Sequence, residues 1–239
     1  MTEIEQTFTA LGGQFITPVA TLTEKLKSIR AIVFDWDGVF NDGVKTGSGS
    51  SSFSEVDSMG TNLLRFGFWL HHNQQLPVVA IVTGVTNVLA DGLVQREHFH
   101  ACYSQAKHKV EVLAHFLDEH KLQPQEVAFF FDDALDLSVA EIAGVRVMIR
   151  RNANPLFTNY VIQNGLADYI TGNQSGQFAV REGCELILGL LGQFDTVMAE
   201  RLRYRPVYDQ YYQQRQAIEP TYWTVGAAGP EPKSQILPV

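Results

Sequence analysis

The stretch Ile32-Val33-Phe34-Asp35-Trp36-Asp37-Gly38-Val39-Phe40-Asn41-Asp42-Gly43 decides how the rest of the chain is read. Its apolar, β-branched and aromatic start predicts a buried strand over 30–35. The strand runs directly into two carboxylates one residue apart. Acids beside a core strand are costly without a partner, and a bound cation is the usual one. In an α/β sheet the carboxyl ends of the strands are also where ligands bind. Asp and Gly are equally ordinary turn residues, so the stretch alone is compatible with a plain strand exit. The rest of the chain has to decide between the two.

Outward from this stretch, apolar runs at Val78–Val82, His100–Tyr103, Val127–Phe131, Val145–Ile149 and Tyr169-Ile170 alternate with helical spacing. The helices are expected over 59–72 (interrupted by Gly67), 86–97, 109–120, 135–142 and 180–191. Strands alternating with helices predict a three-layer, Rossmann-like α/β fold on a parallel sheet covered on both faces. Residues 1–28 form an extension of short helical pieces, and 29–195 the main domain. Within it, 39–57 should be a hairpin flap with the cluster Ser50-Ser51-Ser52 at a polar tip. Residues 196–239 are an aromatic-rich arm and tail carrying Tyr204, Tyr208, Tyr211, Tyr212, Tyr222 and Trp223. Such an arm suits a subunit or domain contact, and GAAGPEPKSQILPV at its end is expected to be poorly ordered.

Composition bounds the function. With 239 residues, 45% hydrophobic and 18% charged, the chain is an ordinary globular one. A formal charge of −8 argues against nucleic acid or an anionic membrane as partner, though not against a small anion held at a local positive site. Cys102 and Cys184 lie far apart without metal-type spacing, which suits free thiols in a reducing compartment. No stretch approaches the length of a membrane span, and the acidic start MTEIEQTFTALGG is unlike a secretion signal. A soluble, cytoplasmic protein is expected.

Four features fall in order at strand ends or helix starts: Asp35 with Asp37, Thr83-Gly84, Lys107 or Lys109, and Asp132 with Asp133 and Asp136. Each has a plain reading, as a turn, a solvated charge or a helix cap. Brought to one sheet edge they suit phosphoryl transfer. A carboxylate nucleophile, Asp35, would attack phosphorus, and a divalent cation between Asp35 and Asp132 would offset the charge repulsion. Mg²⁺ suits such an oxygen-rich site. Thr83 and a lysine would hold the phosphoryl oxygens, and Asp37 would serve as acid and base.

These motifs resemble those of the haloacid dehalogenase superfamily of phosphatases. FDWDGVFNDG resembles its nucleophile motif, VTG the second, the lysine the third and FFDDALD the acidic fourth. The Asp42-Gly43 pair, the short flap, QPQEVAFFFDDALD, ADYIT and GQFAVREGCELIL resemble its small, capless group, which contains 3-deoxy-D-manno-octulosonate 8-phosphate phosphatase. The resemblance covers about 29–192. It implies Asp35 as nucleophile and metal ligand, and Asp37 as acid/base that binds metal through its carbonyl. It implies Asp132 as the remaining ligand, Asp133 and Asp136 as support, and Thr83, Gly84 and Lys109 (or Lys107) as phosphate holders. It also implies Mg²⁺, a small phosphorylated substrate and a homotetramer whose flaps meet at its centre. The chain departs from the pattern at Val85 and Gln177, where the family usually has Arg, at the segment from Val56 to Gly60, and at Phe131. Fewer cations there predict a less anionic phosphate ester. A catalytically weak relative acting as an oligomeric binding or assembly module is the alternative. Phosphoryl transfer to a sugar acceptor is disfavoured, because no large cap is present to exclude water.

Overall fold

The protein is described by a computed structural model covering residues 1–45, 51–204 and 206–233. Its elements in chain order are α1 (Glu3–Ala10), β1 (Gln14–Phe15), α2 (Val19–Leu26), β2 (Ala31–Asp35), α3 (Glu55–His71) and β3 (Val78–Val82). Next come α4 (Val88–Glu97), β4 (Ala101–Ser104), α5 (Lys109–His120), β5 (Val127–Phe131), α6 (Leu137–Ala140), β6 (Val145–Arg150), α7 (Pro155–Gln163) and β7 (Tyr169–Gln174). The chain ends with α8 (Ala179–Leu190), α9 (Phe194–Arg203), α10 (Pro206–Gln216), β8 (Thr221–Gly226) and β9 (Gly229–Pro232).

Among the described residues all the strands belong to one nine-stranded sheet of order β1-β7-β6-β5-β2-β3-β4-β8-β9. The strands from β7 to β8 run parallel, and only the edge strands β1 and β9 are antiparallel to their neighbours. The chain begins the parallel part at β2, builds β3 and β4 to one side, then returns to place β5 on the other. The carboxyl end of β2 is therefore a point where the strand order reverses, the position at which open α/β sheets bind ligands.

Side-chain alternation along β2 divides the core into two layers. Ile32 and Phe34 pack with Leu64, Phe66 and Phe68 of α3 and with Ile187 of α8 on one face. Val33 joins Phe129 of β5 and Val112, Leu113 and Phe116 of α5 on the other. Both faces of the central strands are covered, which is why those strands read as unbroken apolar runs.

The expectations for the tail and the flap change, while the contact expected of the aromatic arm is made within its own chain. The tail expected to be poorly ordered instead continues the sheet as far as it is described: β8 pairs in parallel with β4, and β9 folds back on β8. Residues 234–239 lie outside the described residues. The aromatic arm packs on its own chain: Tyr208 and Tyr211 are buried against Phe66, and the Tyr211 hydroxyl donates to the Asn62 carbonyl at 3.0 Å. Part of the 39–57 flap, residues 46–50, also lies outside the described residues. Its described flanks at 42–45 and 51–54 carry no strand pairing, and 55–57 already form the first turn of α3. Ser51, expected at a polar tip, is buried, because its hydroxyl accepts from Trp36 Nε1 (3.1 Å) and Asn87 Nδ2 (3.0 Å).

Candidate active site

Five consecutive strand ends feed one cavity of about 380 Å³, lined by Asp35, Asp37, Asp42, Gly43, Lys45, Gly84, Val85, Lys109, Asp132, Asp133, Leu135, Asp136 and Arg151. Asp35 is the last residue of β2. Thr83, Asp132 and Arg151 directly follow β3, β5 and β6, and Lys109 stands at the start of α5, the helix after β4.

The centre is buried and densely charged. Asp35, Asp132 and Asp136 are all buried, and each offers a carboxylate oxygen within 4.8 Å of the others. Lys109 Nζ lies between two of them, 2.6 Å from Asp35 and 2.5 Å from Asp136. Burial pulls the ammonium's pKa down, but Asp35 and Asp136 outweigh it and hold the group well above the ordinary lysine value. Lys107, by contrast, is exposed. Burial, then the charges of Asp35 and Asp136, push Asp132 up to about 9 even with Arg151 opposing them. Asp136 is pushed up to about 7 by burial and Asp35, with Lys109 opposing. Three acids against this much cationic charge make a site short of positive charge.

The other predicted residues are placed differently from one another. Asp37 sits at the cavity rim, where its carboxylate accepts from the Ser51 hydroxyl and pairs with Lys45. Thr83 is buried; its backbone N–H donates to the Tyr103 carbonyl at 2.8 Å, and its hydroxyl has no protein partner. Gly84 lines the cavity beside it. Asp133 is exposed and caps the following turn through Ala134 N–H at 2.7 Å, so the plain capping reading holds for Asp133 and not for its buried neighbour. Asp136 is more central than a supporting residue: besides Lys109 it accepts from the N–H of Asp133 at 3.3 Å.

The hinge from β2 into the flap is built locally. Asn41 Nδ2 donates to the Trp36 carbonyl (3.2 Å), and Gly43 N–H donates to Asn41 Oδ1 (2.9 Å), an Asx turn. Val85 lines the cavity, while Gln177 is exposed on a separate groove with Val56 and Phe178. The cavity nonetheless holds two cations not foreseen, Lys45 and Arg151. Both are already paired, Lys45 with Asp37 and Arg151 with Asp132, so the cavity stays rich in carboxylates. Arg150-Arg151 directly after a strand was the available signal, since it marks a fifth strand end on the same edge.

A divalent cation fits the residues present. Asp132 Oδ1 is buried with no hydrogen-bond partner, beside two further buried carboxylates. Such an oxygen is the ligand type that Mg²⁺ prefers.

No family model matches the chain. It is 28% identical over 190 residues to the 3-deoxy-D-manno-octulosonate 8-phosphate phosphatase of Salmonella typhi, spanning 77% of this chain and 93% of that protein. Among solved structures it resembles a Legionella pneumophila hydrolase assigned to the haloacid dehalogenase superfamily, subfamily III A. That match has a TM-score of 0.64 and 28% identity over 77% of this chain and 95% of the other. The fold is shared as well with the 3-deoxy-D-manno-octulosonate 8-phosphate phosphatase of Moraxella catarrhalis, solved with magnesium, phosphate and KDO. There the TM-score is 0.62 and the identity 24%, over 74% of this chain and 96% of the other. By sequence and by fold, the chain is similar to a haloacid dehalogenase-superfamily hydrolase and to the 3-deoxy-D-manno-octulosonate 8-phosphate phosphatases.

Proposed function

We propose that this chain is an Mg²⁺-dependent phosphomonoesterase that hydrolyses a small phosphate ester, a sugar phosphate or sugar-acid phosphate, through an aspartyl-phosphate on Asp35. The observation that carries the reading is a pair of buried polar atoms without protein partners, Asp132 Oδ1 and Thr83 Oγ1. They directly follow the strands that flank β2, one suited to a cation and the other to a phosphoryl oxygen. The named activity of the Salmonella typhi relative supports the same reaction class.

In this reading Asp35, Asp132 and the Asp37 carbonyl would hold a divalent ion, whose charge would offset that of the ester beside a carboxylate. Lys109, kept charged between Asp35 and Asp136, fixes the Asp35 oxygen and holds a phosphoryl oxygen together with Thr83 and Gly84. Asp133 and Asp136 support that arrangement. Asp35 attacks phosphorus and the ester P–O bond breaks. Asp37, at the rim, gives its proton to the leaving oxygen, then takes one from the water that cleaves the acyl-phosphate. The protein works in the cytoplasm as a homotetramer; the exposed apolar Val44, Val56 and Phe178 around the flap support self-association. Among the described residues no helix is long and apolar enough to cross a membrane.

The test is a screen of sugar phosphates, nucleotides and phospho-acids with Mg²⁺, alongside p-nitrophenyl phosphate. Asp35→Asn should lower turnover by about 10³-fold or more while leaving the circular dichroism unchanged. Undiminished turnover in that variant overturns the mechanism. One observation favours the second reading, a weak or inactive relative serving as an assembly module: two of the acids, Asp37 and Asp132, are already paired with Lys45 and Arg151. Metal binding without turnover across the whole screen would select it.

A further inference from the structure

Arg151 was singled out by no motif, and nothing in the chemistry above uses it. Its side chain leaves the end of β6 and forms an ion pair with Asp132, Nε to Oδ2 at 2.7 Å. Its Nη2 donates to the Asp42 carbonyl at 3.4 Å, at the hinge of the flap. Space for the guanidinium depends on two glycines with positive φ, Gly38 (+90°) and Gly43 (+78°). A Cβ on Gly38 would fall 2.5 Å from Nη2 and 2.0 Å from Asp132 Oδ2; one on Gly43 would fall 3.0 Å from Nη2. No L side chain fits at Gly38 beside this pair, and both turns bend in the region L residues disfavour. The Asp132 carboxylate and the guanidinium therefore share the space that these glycines leave open.

The pairing is also one-sided. Arg151 engages Oδ2 of Asp132 as a charge contact, its Nε making no hydrogen bond, while Oδ1 of the same carboxylate stays buried and unpartnered beside Asp35 and Asp136. A carboxylate held by one oxygen has its rotamer set, and its second oxygen is presented in one direction. Partners of this outer kind typically tune metal affinity by about 10–100-fold. We propose that Arg151 is a positioning residue: it clamps Asp132 through Oδ2 so that Oδ1 faces a divalent cation, and it ties that ligand to the Asp42-Gly43 hinge. The inference rests on the metal-dependent reading above, and it runs against simple charge repulsion, which would make a nearby guanidinium weaken cation binding.

The experiment is Mn²⁺ binding to the full chain by electron paramagnetic resonance and calorimetry, with the Mg²⁺ activation constant measured on p-nitrophenyl phosphate. Arg151→Met should weaken Mn²⁺ binding about tenfold and raise the Mg²⁺ needed for half-activation, with turnover restored at saturating Mg²⁺. Arg151→Lys, which keeps the charge but not the fork, should fall between the two and guards against a folding defect in the Met variant. Equal or tighter Mn²⁺ binding in Arg151→Met overturns the inference and leaves the metal reading standing. A turnover loss that excess Mg²⁺ does not restore also overturns it. If neither wild type nor variant binds Mn²⁺, and Asp132→Asn behaves as wild type, the metal reading itself fails along with it.

Discussion

At the scale of the residue, Thr83 separates chemistry from packing. Its hydroxyl is buried and makes no hydrogen bond within the protein, so it contributes nothing visible to the fold. Valine has nearly the same shape. Thr83→Val should leave the melting temperature unchanged or raise it slightly, because an unsatisfied buried polar group is removed. If the hydroxyl meets a phosphoryl oxygen, turnover should fall about 10²-fold, the usual loss for one such donor. Steady-state kinetics and a thermal melt on the same preparation check both halves. Lys109 cannot be tested so cleanly, since its charge also holds Asp35 and Asp136 in place.

At the scale of the element, two helix starts converge on one carboxylate. Ser54 caps α3 through Val56 N–H at 3.0 Å, whereas the N-cap residue of α8, Phe178, offers no side-chain bond. Asp57, in the first turn of α3, accepts from Arg181 N–H at 2.9 Å and so caps α8 from outside it. Burial pushes Asp57 up to about 6, with the Arg181 N–H and the Arg181 charge opposing it. A carboxylate raised above its unfolded value costs stability when ionised, roughly 3 kcal/mol here. That cost is complete above pH 6 and disappears as pH falls toward 3.8. Asp57→Asn keeps an accepting oxygen, so it should melt above wild type at pH 8 with the gap closing by pH 4. Asp57→Ala, lacking the cap, should be less stable than Asp57→Asn by about 1 kcal/mol across that range. Calorimetry of the three proteins between pH 4 and pH 8 decides it.

At the scale of the whole molecule, the C-terminal segment seals the edge of the sheet. Arg215 of α10 pairs with buried Glu97 at 3.1 Å, His98 Nδ1 meets the Ile218 carbonyl at 2.9 Å, and Lys233 pairs with buried Asp91. Beneath this cover His100 accepts Val79 N–H on Nδ1 at 3.1 Å, which requires that nitrogen to be unprotonated. Burial, with Arg65 and His120, pushes it down to about 3. A histidine held neutral contributes stability that is complete above pH 6.5 and is lost as pH falls toward 3. The slope from this group is about 1.4 kcal/mol per pH unit, opposite in sign to that of Asp57. His100→Asn should flatten the acid limb of the pH–melting curve below pH 6.5, and a limb of unchanged steepness would refute the assignment.

How much of this was legible depends on distance along the chain. Strand β2 and its exit, the strands at 78–82 and 127–131 and the start of α5 at Lys109 follow from local pattern, because a strand buried on both faces must be continuously apolar and its end must turn. Asp35, Thr83, Asp132 and a lysine at 107 or 109 could be named from order alone, since parallel topology brings strand ends to one edge. Sequence by itself could not say that Asp136 joins Asp35 and Asp132 while Asp133 only caps a turn. One residue of shift in a tight turn decides which side chain faces inward. Nor could it show Arg151 paired with Asp132, Ser51 bonded to Asp37, or the polar C-terminal segment extending the sheet through β8 and β9. Those placements rest on pairings between residues far apart in sequence, such as Arg151 with Asp132 and Arg215 with Glu97, and only the tertiary fold creates them.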